Sequence, residues 1–92
     1  MVEKAIFRHH NSSMNITIEM YGRLKHVFGH DTLVWKTEAI TVKDIYLELC
    51  EQHHCVDESN IIRPIIDDTF CQWQSKVTEY NVLGFLPPAS GG

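Results

Sequence analysis

The residues best suited to do chemistry are the last eight, Phe85-Leu86-Pro87-Pro88-Ala89-Ser90-Gly91-Gly92. An apolar run leads into two prolines, then two small residues, then two glycines. Read as the end of the chain, Gly92 offers a carboxylate with no side chain beside it. Glycine has no Cβ, so Gly91 and Gly92 can enter a narrow channel and let a partner approach the backbone. The prolines fix φ and remove two N–H donors, so a sheet ladder cannot continue through them. Residues 87–92, if extended, reach roughly 20 Å. A carboxylate on such an arm can be adenylated, thiolated or conjugated in another protein's active site. A bare Gly-Gly end is commonly a frayed terminus; the apolar run, the Pro-Pro pair and the small residues, in that order, set this one apart.

Other groups that could do chemistry read as structural. Cys50, His53, His54 and Cys55 fall within six residues. Structural zinc usually takes two spaced ligand pairs, and the second pair is missing, so no metal site is expected. Cys50 reads as a small buried hydrophobe. Cys71 has no base or orienting group near it in sequence, which nucleophilic catalysis would need. Asp67-Asp68 reads as turn chemistry rather than an acid–base pair. There is no glycine-rich phosphate loop and no Ser/His/Asp signature. The expectation is a domain with no active site and no bound cofactor of its own.

The tail needs a scaffold, and the preceding residues outline one. Residues 1–14 read as a disordered N-terminal arm, residues 15–86 as the domain and residues 87–92 as the extended tail. Ile16, Ile18 and Met20 alternate with Thr17, Glu19 and Tyr21, a period-two strand. Arg23 to Phe28, between Gly22 and Gly29, suits a turn of helix. Thr32 to Lys36 reads as a strand pairing back on the first. Thr41 is an N-cap with Asp44 three residues on, an acidic version of the capping box. Val42, Ile45, Tyr46, Leu49 and Cys50 then recur at helical spacing. That helix should end near His53 or His54, where partial imidazolium charge suits the dipole.

Ile61 to Ile66 reads as a third strand, with Pro64 at an edge position or irregularity. Asp67-Asp68 is the turn and Thr69 to Trp73 the return. Val82 to Leu86 is the last strand. Its alternation separates Leu83 and Phe85 from Val82, Gly84 and Leu86. One set packs on the helix; the other faces outward as an apolar patch beside the tail. Phe85 is expected to anchor a partner there, since aromatic residues dominate binding hot spots. The order ββαβββ indicates an α+β domain.

Composition sets bounds. The chain has 92 residues, one small domain. Its formal net charge is −4 and its Lys and Arg are scattered, which argues against nucleic acid as a partner. No stretch approaches a membrane span and no apolar run suits a signal peptide. Three cysteines do not suggest a disulfide framework. A cytoplasmic protein with free thiols is expected.

The ending FLPPASGG resembles the C-terminus of the small subunit of molybdopterin synthase, a ubiquitin-like sulfur carrier. ITIEMYGRLKHVFG, Ile16 to Gly29, is similar to that family's first strand and the segment after it. TVKDIYLELCEQ, Thr41 to Gln52, resembles its helix, and RPIIDDTF, Arg63 to Phe70, its central hairpin. The resemblance covers about Asn15 to Gly92. It departs at Glu79-Tyr80-Asn81-Val82, where the family usually has an acidic, glycine-containing turn.

The resemblance implies a β-grasp fold, with a mixed sheet packed on one main helix. It implies that an E1-like adenylyltransferase and sulfurtransferase spends ATP to adenylate Gly92, and that a sulfur donor then makes the thiocarboxylate. The tail would enter the large subunit and give up sulfur for the molybdopterin dithiolene. Gly92 would carry the chemistry, Gly91 would permit close approach, and Phe85, Leu86, Pro87, Pro88, Ala89 and Ser90 would meet the partner. A sulfur carrier for thiamine, tRNA thiolation or another pathway would use the same tail. So would a ubiquitin-like protein modifier. A plain interaction module with inert glycines is the remaining alternative.

Overall fold

The computed structural model describes residues 13–89. Its elements are β1 (Met14–Met20), α1 (Leu24–Phe28), β2 (Thr32–Thr37), α2 (Val42–His53), β3 (Arg63–Ile66), β4 (Thr69–Phe70) and β5 (Val82–Leu86). They form a five-stranded sheet in the order β2-β1-β5-β3-β4. β1 and β5 run parallel at its centre, and the other neighbours are antiparallel. This is the ubiquitin-like β-grasp arrangement, with α2 packed on one face. Of the expected arm over residues 1–14, only Ser13 and Met14 are described, and Met14 already pairs with Thr37 in the sheet. No helix among the described residues is long and apolar enough to cross a membrane.

Alternation decides the core. Ile16, Ile18 and Met20 of β1 point inward with Leu83 and Phe85 of β5. They meet Val42, Ile45, Tyr46, Leu49 and Cys50, the apolar face of α2 that the helical spacing predicted. α2 has well-satisfied ends. Thr41 Oγ1 accepts from the Asp44 N–H at 3.2 Å. The Val42 and Lys43 amides, which have no partner inside the helix, donate to the carbonyls of Ser75 and Trp73. At the other end His54 takes the left-handed conformation, φ 56°, and His53 Nδ1 lies 3.0 Å from the Leu49 carbonyl. Glu48, which lies off the apolar face, fastens α2 to β2. Its Oε1 accepts from Trp35 Nε1 at 2.9 Å and from the buried Thr37 hydroxyl at 2.6 Å.

Two strands are shorter than expected, each for a local reason. The amides of Ile61 and Ile62 both donate to the Glu58 carbonyl, so these residues close a turn and β3 begins only at Arg63. β4 stops at Phe70 because Gln72 and Ser75 pinch the chain into a turn. That turn carries Trp73 inward and supplies the carbonyls that satisfy the start of α2. Pro64 sits where a missing donor does no harm. Its carbonyl accepts from Cys71 on the β4 side, just past the end of the β3–β4 ladder. A residue's N–H and C=O point the same way in a strand, so the absent N–H faces that side too.

Asp67 and Asp68 have φ of 51° and 68° and form the two-residue hairpin loop between β3 and β4. Positive φ at both positions is the hairpin geometry that follows strand twist, and aspartate tolerates it. Asp67 also accepts from the Val82 amide and from Asn81 Nδ2, at 2.8 and 2.7 Å. Asn81 Oδ1 in turn accepts from the Thr78 amide. The segment that departs from the resembled family thus closes its own turn with Thr78 and Asn81, without glycine, and fixes where β5 begins.

Candidate functional site

The site is built around the point where the chain leaves β5. That strand lies between β1 and β3, hydrogen-bonded on both sides, so its end is held by the best-supported part of the sheet. Leu86 still pairs with Arg63; Pro87 is the first residue beyond the ladder. β1 has just ended alongside. The chain there turns through Tyr21 and Gly22 into α1, with Gly22 at φ +56°. The Pro87 ring packs on that turn: a Cβ on Gly22 would lie 3.1 Å from Pro87 Cγ. Leu86 and Pro87 are half-buried, whereas Pro88 and Ala89 are exposed. The tail therefore departs from a fixed base. Ser90, Gly91 and Gly92, the expected reacting end, lie outside the described residues.

The sheet face away from α2 adjoins this exit. Register places Val34, Thr17 and Val82 in one row across it, and Glu19, Gly84, Ile65 and Phe70 in the next. Gly84 is covered rather than open. The Tyr21 ring lies over it so closely that a Cβ there would come within 2.9 Å of Tyr21 Cε2. The Tyr21 hydroxyl donates to Glu19 Oε1 at 2.8 Å. That hydrogen bond, with desolvation and the nearby Glu19 and Asp68 charges, raises the phenol pKa. Arg63 stacks its guanidinium 4.5 Å from the centroid of the Phe70 ring. Val34 and Phe70 stay well exposed, at 67% and 55%. The outward set of β5 is Val82, Gly84 and Leu86, as one branch of the alternation predicted.

Phe85 is on the other face, and its expected role as a partner anchor does not hold in this structure. Its side chain is fully buried, with ring centroids 5.3 Å from Tyr46 and 5.9 Å from Trp73. A side chain with no exposed surface packs the core; it does not present itself to a partner. Sequence reasoning missed Gly22, Tyr21, Arg63 and Phe70. The signal for Tyr21 was present, because the alternation that puts Thr17 and Glu19 outward puts Tyr21 outward too.

The remaining chemistry-bearing groups are committed locally. Cys50 is buried and lies 3.7 Å from the Val56 carbonyl. Burial pushes its thiol up to about 11. Burial also raises the Cys71 pKa, the opposite of what activates a thiol nucleophile. His53 meets Phe28 edge to face, with centroids 5.1 Å apart. Among the described residues no group of three or more His, Cys, Asp or Glu side chains is arranged to hold a metal ion.

No protein-family model matches the sequence, and no curated protein matches it significantly. Solved structures do match the fold. The small archaeal modifier protein 1 from Methanosarcina acetivorans superposes with a TM-score of 0.69 at 18% identity, over 87% of this chain and 98% of that one. A chain of the complex of subunits 1 and 2 of molybdopterin-converting factor from Helicobacter pylori gives 0.60 at 18%, over 86% and 100%. A chain of the BexX/CysO complex from Amycolatopsis orientalis gives 0.62 at 19%, over 84% and 99%. At these identities the likeness is one of fold.

Proposed function

We propose that this protein is a sulfur carrier, the small subunit of a molybdopterin synthase. The observation that carries the reading is the fixed exit at Pro87. A central strand delivers the chain to Gly22, the Pro87 ring seats on it, and Pro88 and Ala89 lead away into solvent. That is what a carboxylate on an arm requires at its root: a rigid base and an exit into solvent. The FLPPASGG sequence supports it, as does the likeness to a chain of the subunit 1 and subunit 2 complex.

In this reading Gly92 is the terminal residue of the working protein. An E1-like enzyme spends ATP to adenylate its carboxylate, which creates an acyl group with a good leaving group. A sulfur donor displaces it to give the thiocarboxylate, a soft anionic sulfur. The larger partner subunit docks on the outer sheet face, receives residues 87–92 and takes the sulfur for the dithiolene. Water adds to the Gly92 carbonyl carbon, the acyl–sulfur bond breaks, and the carrier leaves as the carboxylate. Gly91 keeps the thread narrow.

The likeness to a small archaeal modifier protein favours a second reading, conjugation of Gly92 to lysines of other proteins. Intact-mass analysis after incubation with an activating enzyme, ATP and a sulfur source separates the two. Exchange of one oxygen for sulfur supports the carrier. Isopeptide adducts in the presence of protein targets support the modifier. An unchanged mass contradicts both.

A further inference from the structure

Two of the three cysteines meet at the end of α2, for a reason built into the backbone. His54 is left-handed, the His54 amide donates to the Glu51 carbonyl at 3.3 Å, and the Cys55 amide donates to the Cys50 carbonyl at 3.0 Å. This pair of bonds defines the Schellman motif, in which the residues three before and two beyond the helix end bring their side chains into contact. That contact is usually between two apolar groups. Here the two positions are the thiols Cys50 and Cys55, near enough that Cys55 is among the groups that raise the Cys50 pKa. Both are free. Cys50 is buried, whereas Cys55 is half-exposed and lines a pocket of about 160 Å³ beside Leu24, Val27 and Phe28 of α1.

We propose that Cys50 and Cys55 are an oxidisable dithiol, closed by a peroxide into a disulfide within the chain. The two thiols have different parts. Cys55 is the one an oxidant can reach. Its sulfur attacks one oxygen of hydrogen peroxide, the O–O bond breaks, and Cys55 becomes the sulfenic acid as water leaves. The Cys50 sulfur then attacks the Cys55 sulfur. The S–S bond forms, the S–O bond breaks, and the hydroxyl leaves as a second water with the Cys50 proton. Two thiols and one peroxide become one disulfide and two waters. The high pKa of buried Cys50 fits Cys55 as the thiol that meets the peroxide first, because the thiolate is the attacking form and burial disfavours it at Cys50. In the second step Cys50 gives up its proton to the departing hydroxyl as it attacks.

The bridge would tie the last turn of α2 to the segment leaving it. That segment is already held, since the Glu58 amide donates to the Tyr46 hydroxyl and the Glu58 carboxylate pairs with Arg23 before α1. Oxidation would therefore fasten the connection between α2 and α1 without requiring a new fold. The chemistry is independent of the tail.

The test uses the full chain treated with hydrogen peroxide, blocked with an alkylating reagent and mapped by mass spectrometry without reduction. The expected product is a Cys50–Cys55 cross-link with the loss of two hydrogens, reversed by dithiothreitol. Cys55→Ser, which changes the more exposed thiol, should abolish it and leave Cys50 alkylatable after unfolding. Sulfinic acid at Cys55 with Cys50 still free would overturn the proposal. So would bridges through Cys71 or between molecules, or both thiols surviving peroxide that fully oxidises free cysteine.

Discussion

The Pro87 ring rests on Gly22 so closely that a Cβ there would crowd it by a few tenths of an ångström: one built there would stand 3.1 Å from Pro87 Cγ. Gly22 is also left-handed, at φ +56°, a conformation that costs a residue with a Cβ about 1–2 kcal/mol. One glycine therefore serves two ends, letting β1 turn into α1 and giving the tail its seat. Gly29 provides the control. It is left-handed too, at φ +78°, but a Cβ on it meets nothing within 4 Å. Gly22→Ala and Gly29→Ala should each lose about 1–2 kcal/mol in denaturant melts. Only Gly22→Ala should also slow sulfur transfer to the partner, because only there must Pro87 move. Equal transfer rates in the two variants would remove Pro87 packing from the account.

Much of the fold could be read from residue order. The alternation of Ile16, Ile18 and Met20 placed β1, the spacing of Val42 to Cys50 placed the buried face of α2, and Asp67-Asp68 placed the hairpin. The alternation of β5 was equally plain, but it yields two faces without saying which one the helix covers. Phe85 went to the wrong face for that reason: the choice rests on parallel pairing with β1, which puts Phe85 beside Met20. The Gly22–Pro87 contact joins residues distant in sequence, and no local pattern announces it. The early end of β4 has the same origin. Trp73 is drawn from the expected strand and, with Ser75 beyond it, satisfies amides of α2, a demand visible only once the helix is in place.

Phe85→Ala should now be among the most destabilising substitutions. The side chain is fully buried between Tyr46 and Trp73, and removing such a ring costs about 3–5 kcal/mol. Leu49→Ala and Ile45→Ala, at fully buried positions on α2, should cost about 2–5 kcal/mol. Chemical denaturation of the three variants checks this. A near-native Phe85→Ala would place the ring outside the core.

Phe70 tests the outer face. It is 55% exposed, and its described partner is the Arg63 guanidinium at 4.5 Å, a contact worth about 0.5–1 kcal/mol at an exposed site. Phe70→Ala should therefore melt close to the parent. If this face docks the larger subunit, the same change should weaken binding by about 2 kcal/mol, the level of a hot spot. Calorimetric titration and a melt on the same preparation provide both numbers. Unchanged affinity would move the docking surface elsewhere.

Alkaline pH should weaken the fold through Cys50. Burial raises this thiol from 9.0 to about 11, outweighing the lowering hydrogen bond from Tyr46. Burial raises the Tyr46 phenol as well. The folded pKa of Cys50 lies above the unfolded one, so its stabilisation is fully present below pH 9.0 and is lost as pH rises towards 11. Denaturant midpoints across that window should fall, and fall less steeply in Cys50→Ala. Parallel pH profiles for the two proteins would show that Cys50 does not titrate as described.

The central claim is that residues 13–89 are a scaffold and that Gly92 does the chemistry. The most direct measurement compares sulfur loading of the full chain with that of a chain lacking Gly92, by mass spectrometry of the C-terminal peptide, using material whose melting has been recorded. The account predicts a thiocarboxylate on Gly92 in the full chain, none in the shortened one, and the same melting temperature for both. Loading of the shortened chain at the normal rate, or sulfur on any residue other than Gly92, would contradict it.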